Sequence, residues 1–170
     1  MITKSFKEYN SIEGSVVTIG TFDGIHLGHQ DIIHKLQEIS NKKKLKSIVL
    51  SFFPHPKIVL QNSTDIKLIN TLDEKVEILK KYNIDYFIIK EFTKKFSRLT
   101  ALEFVRDILV NTLNAKHLII GYDHHFGRNR GANIIQLREF GEIYDFEVTE
   151  ISPRKINDIS ISSTKIRALL

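Results

Sequence analysis

Residues Thr18 to His29 read TIGTFDGIHLGH: an apolar run closing at Gly20, an Asp23-Gly24 turn, then His26 and His29 where a helical pattern begins. A helix start presents N–H groups without intrahelical partners and the positive end of the helix dipole, and both attract phosphate. Two imidazoles there add further donors, and Gly28 between them leaves room for a close approach to the backbone. The set suits phosphoryl or nucleotidyl chemistry. It lacks the Walker A lysine and the GxGxxG spacing, which excludes those two phosphate cradles. Zinc on a helix prefers histidines four apart with a glutamate or cysteine nearby. Helix capping is the remaining alternative, and phosphate handling accounts for more of the string than either.

Three further segments carry usable side chains. In Ile161 to Arg167, ISSTKIR, any of Ser162, Ser163 and Thr164 can cap a last helix, with Arg167 one turn inside it. Alone this is a capping signal; beside the histidine loop it reads as a second anion site, the guanidinium gripping phosphate through two oxygens. In Gly121 to Gly131, GYDHHFGRNRG, Asp123 could hold a ribose hydroxyl or a base edge, while His124, His125 and Phe126 shape a pocket. Arg128 and Arg130 either steer polyphosphate or are solvated loop charges. In Phe52 to Pro56, FFPHP, two prolines stiffen a loop whose aromatics either border a flat ring or enter the core.

Positioning these groups requires elements that end where they begin. Strands are predicted over Val16 to Gly20, Ser47 to Phe52, Asp85 to Lys90, His117 to Gly121 and Ile143 to Ile151, each nearly continuous in apolar residues, as in a parallel sheet covered on both faces. Helices are predicted over Leu27 to Ile39, Leu72 to Tyr82, Ala101 to Leu113 and Ile134 to Phe140, from apolar residues three and four apart. Such alternation gives an α/β fold, an open and mostly parallel sheet with helices on both faces, which binds ligands beyond the carboxyl ends of its strands. The active loops are then Thr21 to His26, Phe53 to Asn70 and Tyr122 to Gly131, with Ser160 to Thr164 near the end.

At 170 residues, 42% of them hydrophobic and 26% charged, the chain fits one globular domain and excludes disorder as its main state. The net charge of +5 favours an anionic partner. The run Asn41 to Lys46, NKKKLK, follows a helix, whose C-terminal dipole cations complement; the scattered basic residues match no nucleic-acid motif. No cysteine occurs, which removes disulfides, thiolate nucleophiles and cysteine-bound zinc. Without a signal-peptide pattern or a membrane-length apolar run, a soluble cytoplasmic protein is expected.

The strings TIGTFDGIHLGH, SFFPHP, RLTALEF (Arg98 to Phe104), GYDHHFG and ISSTKIR, in this order, make the chain similar nearly end to end to the adenylyltransferase (FAD synthetase) domain of the bacterial bifunctional riboflavin kinase/FAD synthetase family. The first and last also match the wider nucleotidylyltransferase superfamily; the middle three point to the flavin branch. The resemblance implies a Rossmann-like domain that transfers AMP from ATP to FMN, giving FAD and pyrophosphate, with Mg2+ carried by the ATP phosphates and no metal ligand assigned. It implies catalytic roles for His26, His29 and Arg167, with His26 stabilising charge at the α-phosphate. Gly20, Phe22, Asp23, Gly28, Asp123, Ser163 and Thr164 would bind ATP, and Phe53, Pro54, His55, Pro56 and Arg98 would receive flavin. His124 stands where the family often has phenylalanine.

The family usually continues into a riboflavin kinase domain, so residues 1–170 are expected to be the adenylyltransferase domain alone, fed with FMN from elsewhere and binding small nucleotides rather than nucleic acid or membrane. The rivals are a related transferase with a pantetheine or nicotinamide mononucleotide acceptor, and a noncatalytic nucleotide or flavin sensor.

Overall fold

A computed structural model describes residues 1–61, 66–156 and 159–170, without the side chain of residue 156. Part of the anticipated Phe53 to Asn70 loop, residues 62–65, lies outside the described residues. Six parallel strands form one sheet in the order β1-β4-β3-β2-β5-β6. They are β1 (Ile2–Ser5), β2 (Ser15–Ile19), β3 (Lys46–Phe53), β4 (Tyr86–Glu91), β5 (Ala115–Gly121) and β6 (Glu147–Ile151). The chain turns outward in one direction from β2 through β3 to β4 and in the other through β5 to β6, so the topological switch point lies between β2 and β5.

Side chains alternate across the sheet and divide the core into two layers. Val16, Val49, Phe87 and Ile119 face α1 (Leu27–Lys43), which contributes Ile33, Leu36 and Ile39, and Leu79, which lies on a helix between β3 and β4. On the opposite face Val17, Leu50, Ile88, Leu118 and Ile120 pack with Val105, Leu109 and Leu137. Each large aliphatic side chain fully removed from water contributes roughly 1.5–3 kcal/mol, so the two layers hold the strand ends in register.

Between β3 and β4 run α2 (Pro56–Gln61) and α3 (Leu72–Lys80), the latter opened by a reciprocal Thr71/Glu74 capping box. α4 begins as Ala101–Glu103, capped by Thr100, and widens into a π-helical stretch, Phe104–Thr112. α5 (Ile134–Tyr144) follows an Asn133 cap, and a short hairpin, β7 (Lys155–Ile156) with β8 (Ile159–Ser160), leads to α6 (Ser163–Arg167).

Two local expectations need correction. Ile143 and Tyr144 belong to α5 rather than to a strand, because the chain leaves the helix only at Asp145, at φ 59°, and extends from Glu147. β1, not anticipated, adds a parallel edge strand in register with β4, Ile2 opposite Tyr86. α6 forms as expected, capped by Ser162, with Arg167 one turn along it as its last residue. The lysine run behaves as expected: Lys42 and Lys43 fill the last turn of α1, and Lys44 ends it at φ 54°.

Candidate active site

The β2–α1 loop leaves the sheet beside the switch point. Gly24 turns it at φ +84°, and a Cβ there would lie 2.9 Å from Ile69 Cδ1, so both conformation and space demand glycine. His26 is the N-cap of α1: its Nδ1 accepts the His29 backbone N–H at 3.4 Å. Because Nδ1 is the acceptor, the neutral ring carries its proton on Nε2, which becomes an N–H donor at the helix N-terminus. The His26 and His29 rings stack at 3.7 Å, and His29 leans on the buried Phe22 at 5.0 Å. A Cβ on Gly28 would meet the His26 ring at 3.3 Å, so this glycine makes room first for the cap itself.

Burial sets the protonation of these rings. It pushes His29 down to about 3, with help from nearby His26 and Lys75, and lowers His26 against the opposing pull of Asp123 and Asp23. His55, behind the cis Phe53–Pro54 peptide, falls to about 4, from burial first and the Arg167 charge second. At neutral pH these are uncharged donors or acceptors, and the positive charge beside them comes from Arg167 and Lys75.

Asp23 is 1% exposed. Its Oδ1 accepts the backbone N–H groups of Ile69 (3.0 Å) and Asn70 (3.2 Å), its Oδ2 accepts Arg167 Nη1, and its backbone carbonyl accepts the Ser163 hydroxyl at 2.7 Å. α6 is therefore docked on the β2–α1 turn. Ser162 caps it by accepting the Lys165 N–H at 3.3 Å, and Thr164 Oγ1 accepts Arg167 Nη2 at 3.5 Å.

On the far side of Asp23, a cavity of about 20 Å³ is lined by Phe52, Phe53, His55, Asn70 and Lys75, among others. Phe53 is 48% exposed at its rim, whereas Lys75 is only 8% exposed and donates to the Thr21 carbonyl at 2.5 Å. Burial lowers the Lys75 ammonium, and Asp23 partly restores it. Asn70 Oδ1 and His29 Nδ1 are buried with no hydrogen-bond partner among the described residues.

The structure thus gathers Gly20, Phe22, Asp23, His26, Gly28, His29, His55, Ser163, Thr164 and Arg167 around the β2 end. Asp123 is exposed beyond β5, its carboxylate 3.6 Å from where a Gly121 Cβ would lie, and close enough to His26 to oppose the fall in its pKa. Arg98 stands apart, exposed at the end of a single 3-10 turn. Phe126 enters the core against Phe104 at 5.9 Å rather than walling an open pocket; half-buried His124, its Nε2 out of solvent, is pushed to about 4 beside it. Lys75 and Asn70 were not anticipated. A signal existed for the lysine: it shares the apolar stripe of Leu72, Val76 and Leu79, where a charge calls for a polar partner. A more open depression of about 360 Å³, lined by Met1, Lys46, Asn83 and Asp85, lies at the opposite strand ends, where Asp85 already binds Ser47 N and Oγ at 2.8 Å.

A family model described as FAD synthetase matches residues 8–165. The chain belongs to the FAD synthetase family. Among curated relatives it is 42% identical over 166 residues to a bifunctional riboflavin kinase/FMN adenylyltransferase of Buchnera aphidicola from Acyrthosiphon pisum, covering 98% of this chain and 52% of that one. It is 35% identical over 158 residues to the protein of the same name from Escherichia coli K12, covering 93% and 50%. A Listeria monocytogenes protein named FAD synthetase is 35% identical over 157 residues, covering 92% and 63%. The chain therefore spans about half the length of the bifunctional relatives.

Among solved structures, one titled macrolide-efflux protein from Streptococcus pneumoniae superposes with TM-score 0.87 at 30% identity, covering 99% of this chain and 55% of that one. Pantothenate synthetase from Thermus thermophilus, at TM-score 0.58 and 11% identity, covering 98% and 67%, shares the fold alone. Among the described residues no helix is long and apolar enough to cross a membrane.

Proposed function

We propose that this FAD synthetase family chain transfers the adenylyl group of ATP to FMN. An oxygen of the FMN phosphate attacks the α-phosphorus as the bond to the β-bridging oxygen breaks, giving FAD and pyrophosphate. The observation carrying this reading is that one buried turn, at Asp23, holds both the histidine-capped start of α1 and the Arg167 helix beside the switch point. Phosphate is already a nucleophile, so no covalent intermediate is required and the protein acts by orientation and charge stabilisation.

In this reading His26 Nε2–H donates to the oxygen that gains charge on the α-phosphate, and the His29 ring, held neutral, extends the donor surface. Arg167, Ser163 and Thr164 hold the β and γ phosphates as pyrophosphate leaves. The acceptor enters past Phe53, with His55, Pro54 and Pro56 around the flavin and Lys75 and Asn70 beside its phosphate; Arg98, standing apart, has no part in this arrangement. Gly20, Phe22 and Asp23 shape the adenosine side from beneath, and Asp123 meets the ribose or the metal.

Among the described residues no group of three or more histidines, cysteines or acids could hold a metal. Asp23 is already engaged, which leaves Asp123 as the loop carboxylate open to solvent. That donor set fits Mg2+ carried by the triphosphate, the ion keeping most of its waters and neutralising phosphate charge when bound.

The test is chromatographic detection of FAD after incubating the chain with ATP, Mg2+ and FMN, beside parallel incubations with riboflavin, phosphopantetheine or nicotinamide mononucleotide in place of FMN. FAD from FMN is the expected result. AMP transfer only to another phosphate acceptor, or ATP binding without any transfer, overturns it.

A further inference from the structure

We propose that Asp23 is a positioning residue coupling the nucleotide site to the acceptor site, so that filling either one strengthens binding at the other. The inference rests on the adenylyltransferase reading above and deepens it. Asp23 is tied to both sides at once. Oδ2 and the backbone carbonyl hold Arg167 and Ser163, whose helix would grip the triphosphate, while Oδ1 holds the N–H groups of Ile69 and Asn70.

The second tie reaches the acceptor cavity directly. Asn70 belongs to the cavity wall, and its Oδ1 is buried there without a partner among the described residues. The next residue, Thr71, caps α3, which carries Lys75 into the same wall. Lys75 in turn donates to the Thr21 carbonyl, two residues before Asp23. Moving Asn70 therefore moves a closed circuit of Asp23, Asn70, α3, Lys75 and the β2–α1 loop.

The carboxylate at the centre is removed from solvent, so its bonds compete with one another rather than with water. A triphosphate drawing on the Arg167 guanidinium weakens that cation's hold on Oδ2. The carboxylate then binds the Ile69 and Asn70 amides more tightly, firming the wall that receives the acceptor. By linkage the acceptor must act back on the nucleotide by the same factor.

The experiment titrates FMN, by its fluorescence, into the full chain with and without a non-hydrolysable ATP analogue bearing a methylene bridge between the α and β phosphates, in Mg2+. The analogue should lower the Kd for FMN by roughly 10-fold, and FMN should lower that of the analogue equally. Asp23→Asn keeps the shape and an amide-accepting oxygen but loses the charge facing Arg167, so the factor should fall to within about 2-fold of unity. A merely structural role would weaken each ligand alone and leave the ratio intact. A wild-type factor near unity overturns the proposal, as does an unchanged factor in Asp23→Asn. Should that variant fail to fold, Arg167→Lys must retain more coupling than Arg167→Gln; equal factors in those two overturn it. FAD production separates the two readings: FAD made without coupling sinks this inference alone, while no FAD despite binding of both ligands sinks the proposed function.

Discussion

The two ends of the site are built differently. At the end proposed to bind phosphate, His26 caps a helix, His29 is stacked and neutral, and Arg167 is fixed on a buried carboxylate. At the end proposed for the acceptor, a small cavity of about 20 Å³ has at its rim an aromatic side chain that is 48% exposed. A triphosphate can be met by rigid dipoles that need no reorganisation, which is what charge stabilisation in a transition state requires. A flat ring of the kind proposed for the other end is met instead by an exposed aromatic edge, which contributes through contact area rather than through fixed charge.

Arg167→Ala should act on the fold as much as on catalysis. It leaves Asp23, 1% exposed, without its guanidinium, and breaking such a pair costs roughly 3–5 kcal/mol. The Ile69 and Asn70 amides remain, which places the loss near the lower limit. Denaturant midpoints should show it, alongside weaker ATP binding and slower turnover. Unchanged stability and nucleotide affinity would mean that the phosphate end is less rigidly built than its geometry states.

His26→Asn separates chemistry from architecture, because asparagine caps helices as well as any residue and so preserves the start of α1. Turnover should fall by roughly 100- to 1,000-fold, about 2.7–4 kcal/mol in the barrier, as for removal of one oxyanion donor. ATP affinity should change far less, since the contact strengthens in the transition state. Equal turnover in this variant refutes the role of His26.

Acid should loosen both ends, and the phosphate end more. His29 is held at about 3 and His55 at about 4, against the ordinary histidine value of 6.5 that an unfolded chain would show. The native state thus binds these protons less readily than the unfolded one. Their contribution is full above about pH 6.5 and is lost as pH falls through the window below it. For His29 the slope approaches about 1.4 kcal/mol per pH unit down to about pH 3, whereas His55 begins to protonate in the folded state near pH 4, so its slope flattens sooner. Thermal midpoints between pH 7 and pH 4 should fall less steeply in His29→Gln than in His55→Gln. The reverse order would invert the contrast between the two ends.

What could be read in advance follows the same division. The β2–α1 loop and its histidines are local: strand end, Asp-Gly turn and helix start lie within twelve residues, so spacing alone shows what they form. The order of strands and helices was legible for a similar reason, since each run carries its own period. Asp23 and Arg167 meet across 144 residues, and nothing in either neighbourhood names the other. Lys75 hid within a helical stripe, and the 3.6 Å approach of Arg154 to Asp31 depends on a hairpin too short to carry a pattern. β1 escaped because an edge strand open to solvent lacks the apolar continuity of its neighbours. Ile143 and Tyr144 misled for the opposite reason: a short apolar run suits helix or strand equally, and the left-handed turn at Asp145 decides between them.

The smallest effect is expected where the site is least built. Phe53 is half exposed at the rim of the small cavity, so it contributes little to the fold and its ring is free to meet a flat ligand. An aromatic contact of this kind is worth roughly 0.5–1.5 kcal/mol beyond area burial. Phe53→Ala should therefore raise the KM for FMN by about 3- to 10-fold, while the KM for ATP and the unfolding midpoint stay within experimental scatter. Phe53→Tyr, which keeps the ring, should restore the wild-type value. Steady-state kinetics with each substrate varied in turn would read both. If the alanine variant instead lowers stability and leaves the KM for FMN alone, Phe53 is a packing residue and the acceptor enters past another wall.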